Sequence, residues 1–554
     1  MCSDWKSRRG QSLVIALLTI VAYLPALRGG FVWDDEALIT ENRLIKAGDG
    51  LSRIWFTTEP ADYYPITNSL WWLEWRLWGT RPMGYHIVSV LLHVGNALLV
   101  WMILSRLKVP GAWFAALVFA IHPVNVATVA WISEQKTTLS MLFCLVAVLS
   151  FLRFNQGKSW GWYGVSLSAF LLALLSKTAV VMLPVVLLGA LWWTKGRLQW
   201  KDLFCSMPFF ILSTILGLVT MRFQYHHRLE LGVAAASVSL ASRLAVAGSV
   251  PWFYLSKAVL PINLTAVYPG WQINNSRWTS DLLGMVLVCG FALFWWKRST
   301  WGRPLLLGLG YFVIMLFPVL GFFDQTFYRF SSVADHWQYY SIIAPIALVA
   351  AAGQCLSQHR KEALGALVLL VLAAATWARA GVYADNVTLW RDNVAKYPDS
   401  YVAQQNLGYA LAQEGKYRQA IEHFEQTVRL KPGYAESHYN LGGALARSGR
   451  AQEAVREFEE ALRLNPDDAQ THNNLANALL VLGEVPEAVQ HYEQAVRLKP
   501  DSPEVHCNLA MALEQTGNLE EARAQYEQAL RIKPDLAEAQ NGVKRLGVRS
   551  KPGS

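Results

Sequence analysis

Residues 106–153 read RLKVPGAWFAALVFAIHPVNVATVAWISEQKTTLSMLFCLVAVLSFLR. Basic residues bracket two apolar runs, and a short polar turn lies between the runs. A helix needs roughly 20 apolar residues to cross a bilayer, and each run approaches that length. Arg and Lys stay on the cytoplasmic side of such helices, so the stretch folds as a hairpin that leaves the cytoplasm and returns. The same grammar covers the first 380 residues. Apolar runs recur at about 11–27, 86–105, 110–124, 137–154, 160–176, 178–194, 203–221, 281–296, 304–323, 338–357 and 363–380. Alternate connections are basic: Lys6, Arg8 and Arg9; Arg106 and Lys108; Arg153 and Lys158; Lys195, Arg197 and Lys201; Lys297, Arg298 and Arg303; Arg360 and Lys361. Eleven crossings then put 28–84, 125–136, 222–280, 324–337 and everything after 380 on the far side. The apolar stretch 243–260 would invert the later basic loops if it crossed, and a re-entrant or interfacial segment fits the parity. The first run could instead serve as a signal peptide, although no strong small-residue cleavage site precedes Pro25.

Composition supports this division. The chain has 554 residues, 53% of them hydrophobic, with 24 Trp, which excludes disorder and a single ordinary soluble fold. Residues 1–384 carry 30 Lys+Arg against 16 Asp+Glu, whereas 385–534 carry 15 against 22. A basic, apolar, Trp-rich portion therefore precedes an acidic one. The six cysteines show no CxxC or Cys/His spacing and read as packing residues or inert thiols.

Pro398, Pro432, Pro466, Pro500 and Pro534 recur every 34 residues, as do Gly415, Gly449, Gly483 and Gly517. Ala420, Ala454, Ala488 and Ala522 keep the step, and so do Phe424, Phe458, Tyr492 and Tyr526. Small residues let two antiparallel helices approach, the aromatic fills the space between units, and Pro ends the second helix. The tracts resemble tetratricopeptide repeats, whose period is 34. Asn406, Asn440, Asn474 and Asn508 share that period. They either belong to the packing consensus or line a concave face, where amides grip an extended peptide backbone through a donor and an acceptor. The tracts around them resemble the asparagine ladder of the O-linked N-acetylglucosamine transferase superhelix.

Chemistry is expected in the first far-side loop, FVWDDEALITEN (31–42). Asp34, Asp35 and Glu36 are adjacent acids, and their mutual repulsion raises at least one pKa unless a cation compensates. They read as a solvated loop edge, or as a general base or cation ligand at the membrane surface. This loop resembles that of the GT-C superfamily of polytopic glycosyltransferases. The tracts YYPITNSLWWLEWRLWGTRPMGYHIVSVLLH (63–93), FAIHPVNVATVAWISEQKTTLS (119–140), LLSKTAVVMLP (174–184), YLSKAVLPINLTAVYP (254–269), ADHWQYYSIIAP (334–345) and VTLWRDNVAKYPDS (387–400) narrow the match. They resemble the transmembrane and tetratricopeptide repeat proteins related to eukaryotic O-mannosyltransferases, closest to bacterial-type members. That resemblance implies an acidic residue acting on the acceptor and a polyprenyl-phosphate sugar donor, mannose by analogy.

Carried over to this chain, the resemblance makes Asp35 the first choice for the catalytic acid, then Asp34, with Glu36 beside them. Lys177, Arg329, His336 and His122 are the candidates for the donor phosphate or sugar, and Asn406, Asn440, Asn474 and Asn508 for the acceptor peptide. Lys177 also suits snorkelling to headgroups, and His122 also suits a helix cap. His93 lies within an apolar run, where a polar group is either functional or bonded between helices. Tyr339 and Tyr340 suit an interfacial belt or a sugar-stacking surface. Related proteins often carry an acid where this sequence has Ala127, and Glu134 stands a few residues on.

The fold expected is all-α: a polytopic GT-C-like membrane domain (1–384), a linker helix (385–398), four tetratricopeptide repeats (399–534), and a capping helix with tail (535–554). The expected partners are a polyprenyl-phosphate sugar, a protein or peptide acceptor and the lipid bilayer, with no nucleic acid. No cofactor is called for with certainty, although the acids leave room for a divalent cation. The setting expected is a bacterial inner membrane with the repeats in the periplasm. Alternatives are a membrane-anchored scaffold without catalysis, or an envelope oligosaccharide ligase, for which the loop 324–337 is small.

Overall fold

The computed structural model describes residues 2–157, 159–230, 239–269, 277–323 and 326–549. Among these residues there are helices and no strands. The chain divides into two compact units, Met1–Lys396 and Tyr397–Ser554.

The first unit begins with α1 (Cys2–Ala22), the short α2 (Arg43–Lys46) and α3 (Gly50–Phe56), α4 (Pro65–Trp78) and α5 (Pro82–Arg106). Next come α6 (Ala112–Ala120), α7 (Val126–Ala130), α8 (Gln135–Gly157), α9 (Trp160–Ser176) and α10 (Leu183–Lys195). It closes with α11 (Trp200–Glu230), α12 (Leu240–Val259), α13 (Arg277–Trp296), α14 (Gly302–Leu316), α15 (Ile343–Gly353), α16 (Gln358–Gly381) and α17 (Asn386–Lys396). Every apolar run read from the sequence contains helix, although 110–124, 304–323 and 338–357 are helical only in part. Among the described residues seven helices are long and apolar enough to cross a membrane, or eight if the bent pair Ala112–Ala120 and Pro123–Ala130 is one span. The chain is thus a multi-pass membrane protein. α9 and α15 are shorter apolar helices, and α12, the stretch excluded by parity, is not among the seven.

Contacts sort the connections into two groups. At the basic end, Arg106 Nη2 donates to Gln156 (2.5 Å) and Trp193 Nε1 to Leu107 O (3.0 Å). Lys195 Nζ reaches Asn155 (3.0 Å) and Asp202 (2.6 Å), and Arg303 Nη2 donates to Trp192 O (2.7 Å). The other group joins the polar segments to one another. Ser133 N–H donates to Asp35 Oδ1 (2.6 Å), Tyr268 OH to Asp335 Oδ1 (2.6 Å), and Trp33 N–H to Asn386 Oδ1 (2.8 Å). Each of the five segments that the sequence puts on one side therefore bonds to another member of that set.

The expected linker helix is α17, and it packs into the first unit. Trp390 is buried, and Asn393 Nδ2 donates to Val267 O (3.3 Å). An Arg379–Asp392–Lys396 ion cluster, with both pairs at 2.7 Å, ties α17 to the end of α16.

The second unit is a run of antiparallel pairs: α18 (Tyr401–Gln413) with α19 (Tyr417–Leu430), α20 (Ala435–Arg447) with α21 (Ala451–Leu464), α22 (Ala469–Leu482) with α23 (Val485–Leu498), and α24 (Pro503–Thr516) with α25 (Leu519–Ile532). A final helix, α26 (Ala537–Arg549), follows. Gly442 shows why small residues recur here: a Cβ on it would lie 2.8 Å from the Phe458 ring. That is inside van der Waals contact, so the helices close only over glycine.

Candidate active site

The site is built on the turn between α7 and α8. Each residue from Ser133 to Lys136 makes a specific polar contact. Ser133 N–H binds Asp35, as above. Gln135 Nε2 donates to Glu74 Oε1 (3.0 Å) and Tyr85 O (2.9 Å), while its Oε1 accepts from Trp71 Nε1 (2.9 Å). This fixes the rear of the turn against α4 and α5. Burial raises the Glu74 carboxyl to about 8, so it is largely neutral at physiological pH.

The front carries the charge. Glu134 is buried and meets Lys177 Nζ at 3.0 Å and Lys136 Nζ at 3.3 Å, with Thr137 Oγ1 also donating to it. Lys177 Nζ also donates to Thr137 Oγ1 (2.7 Å). His336 Nε2 lies 3.9 Å from Glu134, beyond hydrogen-bond reach. One carboxylate thus lies between two largely buried ammonium groups. The charges of Asp34 and Asp62 act on Lys136, and that of Asp62 acts on Lys177. Acids of the first loop therefore face this cation pair. Among the described residues no group of three or more His, Cys, Asp or Glu is arranged to hold a metal ion.

The two aspartates differ. Asp35 is fully buried, and both its oxygens accept backbone N–H groups, from Val32 (2.9 Å) and Ser133 (2.6 Å). Burial raises its pKa to about 7 against the lowering effect of those bonds, and Asp34 adds to the rise. Asp34 is half-buried. Just before the pair, Trp33 has φ 51°, a left-handed conformation in a bulky non-glycine residue. Such strain is of order 1–3 kcal/mol and persists only where surroundings enforce it. Trp33 stacks on Trp131 (5.0 Å, 1°) and meets Trp390 edge-on (4.9 Å, 74°). Glu36 is held by Asn386 Nδ2 (3.1 Å) and begins a π-helical turn to Thr40.

Other sequence candidates fall differently. His122 donates from Nε2 to Ala258 O (3.1 Å) and accepts the Val124 N–H at Nδ1 (3.4 Å), so it is a helix cap with both nitrogens occupied. His336 is buried, and its pKa is lowered to about 3 by that burial, so it contributes a neutral ring rather than a cation. The Arg329 side chain lies outside the described residues. Tyr339 and Tyr340 are buried in the helical interior, which corrects the reading of an interfacial belt. The Tyr339 hydroxyl donates to His93 Nδ1 (2.7 Å) and accepts from Asn96 (3.1 Å), while His93 Nε2 donates to Ala120 O (2.9 Å). His93 is therefore a bond between helices. Ala127 is buried within α7.

Sequence reading missed Lys136, Asp62 and Asn386. Lys136 stands in the quoted ISEQKTT tract, two residues from Glu134, and an oppositely charged pair beside an apolar run was the available signal. Nothing local marked Asn386.

An apolar cavity of about 610 Å³ opens between α5, α8, α10, α14 and α15, lined by residues such as Leu104, Met141, Leu183, Tyr311, Met315 and Ala347. In the repeat unit, Asn440 lines a cavity of about 390 Å³ together with Tyr409, Glu436, Tyr439 and Asp468. Asn474 donates to Tyr439 OH (3.1 Å), Asn508 to Asn473 Oδ1 (2.9 Å), and Asn406 to Val402 O of its own helix (2.8 Å). The four asparagines are thus not equivalent.

Residues 60–226 match the sequence profile of dolichyl-phosphate-mannose-protein mannosyltransferases, and 406–469 and 473–537 match tetratricopeptide repeat profiles. A segment similar to mannosyltransferases therefore precedes a tetratricopeptide array in this chain, the order of parts that the sequence resemblance implies. A protein O-mannosyl-transferase of Caenorhabditis elegans is 23% identical over 76% of this chain and 62% of its own length. Protein O-mannosyl-transferase TMTC4 of Homo sapiens is 23% identical over 74% of this chain and 65% of its own length. The chain therefore spans a little under two thirds of these relatives. Among solved structures, MamA matches with 24% identity over 27% of this chain and 89% of its own, at a TM-score of 0.26.

Proposed function

We propose that the chain is a membrane glycosyltransferase that moves a sugar, mannose by analogy, from a polyprenyl-phosphate carrier to hydroxyl groups of extracytoplasmic proteins held by the repeats. The observation that carries this reading is the buried Lys136–Glu134–Lys177 cluster facing the acids of the first loop. The donor is a phosphodiester with one negative charge, and its leaving group gains a second as the C1–O bond to the sugar breaks. Two ammonium groups held in place, with only one carboxylate between them, suit that developing charge.

A Ser or Thr hydroxyl needs a base, and the geometry favours Asp34 over Asp35. The hydroxyl oxygen attacks C1 while its proton passes to the Asp34 carboxylate, in one displacement with inversion. Asp35, with both oxygens committed to backbone, positions the loop against the 133–136 turn. Lys136 joins Lys177 on the phosphate side. The apolar cavity offers room for part of the polyprenyl chain. Eleven crossings with the repeats in the bacterial periplasm would put donor, acids and repeats in one compartment. A passive anchor would have no use for a buried ion cluster at the polar end of the unit.

The test uses the full chain in nanodiscs with polyprenyl-phosphate mannose and a Ser/Thr peptide. Asp34→Asn is expected to lower kcat by about 10²–10⁴ while leaving expression and melting unchanged. Turnover equal to the parent's would remove Asp34 from the mechanism, and mass spectrometry of extracytoplasmic proteins with and without the gene would identify the acceptors.

A further inference from the structure

We infer that Asn386, at the start of α17, is a positioning residue that sets the conformation of the acidic loop. This rests on the reading of Asp34 as the base. The Asn386 amide grips the loop on both sides of the aspartate pair: its Oδ1 accepts the Trp33 N–H (2.8 Å), and its Nδ2 donates to Glu36 Oε1 (3.1 Å). Gly30 N–H adds a parallel bond to Ala384 O (2.8 Å). One helical turn along, Trp390 packs edge-on against the Trp33 ring. The Asn386 backbone is itself held, because Asp385 Oδ1 accepts the Thr388 N–H (2.7 Å) and caps the helix.

An amide is the group this place requires. Trp33 needs an acceptor and Glu36 a donor, and one planar carboxamide supplies both. A carboxylate would keep the first bond and repel Glu36. A methyl would keep neither, and Trp33 would be free to leave the left-handed region, which swings the following Asp34 away from Lys136. Misplacement of a catalytic group by about 1 Å can lower a rate by about a hundredfold.

The experiment compares the parent with Asn386→Ala and Asn386→Asp, all full length in nanodiscs. Hydrogen exchange of the 31–36 amides and steady-state kinetics are read on the same samples. Asn386→Ala is expected to speed exchange at Trp33 and lower kcat about ten- to a hundredfold, with the donor KM within about twofold. Asn386→Asp should recover as pH falls from 8 to 5.5, relative to the parent at each pH, because a protonated carboxyl again offers a donor and an acceptor. Unchanged exchange and kcat in both variants, with Asp34→Asn inactive, would overturn the role of Asn386 alone. An active Asp34→Asn would instead sink the reading on which it rests. Recovery that fails while both variants stay folded would reduce Asn386 to packing and refute the clamp.

Discussion

Replacing Glu134 by Gln tests the electrostatic core of the site. Its carboxylate is 2% exposed, whereas Lys136 and Lys177 are 17% and 14% exposed. Gln fills the same space but leaves two ammonium groups facing a neutral amide. Breaking a buried ion pair from one side costs about 3–5 kcal/mol, because the remaining charge is uncompensated. A lysine can escape that cost by losing its proton, at about 1.4 kcal/mol for each pH unit below its ordinary value near 10.4. The ceiling at pH 7.5 is therefore about 4 kcal/mol and falls to about 1 kcal/mol at pH 9.5. Lys177→Met alone is milder, since Glu134 keeps Lys136 at 3.3 Å. Combined with Glu134→Gln it removes one stranded cation and should recover about 2 kcal/mol of the single variant's loss. Unfolding titrations in mixed micelles, at both pH values, measure all four proteins of the cycle. If Glu134→Gln unfolds like the parent at pH 7.5, or the double variant is no more stable than it, the cluster is solvated and the argument from burial is wrong.

Two further outcomes follow from the geometry. Burial raises the folded pKa of Asp35 from the ordinary carboxyl range to about 7. A carboxyl raised in this direction favours the folded state while protonated, so its contribution is full below about 4 and falls by about 1.4 kcal/mol per pH unit up to about 7. Parent-minus-Asp35→Asn stability should show that downward slope between pH 4.5 and 7, and a flat difference would deny the burial. In the repeats, Asn440→Ala with Asn474→Ala should weaken binding of a labelled Ser/Thr peptide about tenfold, from two lost hydrogen bonds, without changing donor hydrolysis. Equal peptide affinity would leave these amides as packing residues only.

The period of the repeat unit was legible because it follows from a local rule that recurs along the array: Gly442 must be small where Phe458 crosses it. The helices of the first unit were legible for a similar reason, since a hydrophobic run declares itself within 20 residues. The site was legible only in outline. The acids of loop one and Lys177 stood out as charges beside apolar runs. The difference in their surroundings did not, because the bond that helps bury Asp35 comes from Ser133, 98 residues away.

What the sequence alone determined is whatever depends on neighbours along the chain: the all-α class, the apolar helices, the alternation of basic and polar connections, and the 34-residue array. Tertiary structure decided everything that depends on meetings between distant segments. Glu134 is met by Lys177, 43 residues on, Trp33 is fixed by an amide 353 residues away, and His122 is used up by a backbone carbonyl of α12. The physical reason is range. Hydropathy and helix period act over a few residues, whereas the partner that neutralises a buried charge or satisfies a buried ring nitrogen is chosen by packing.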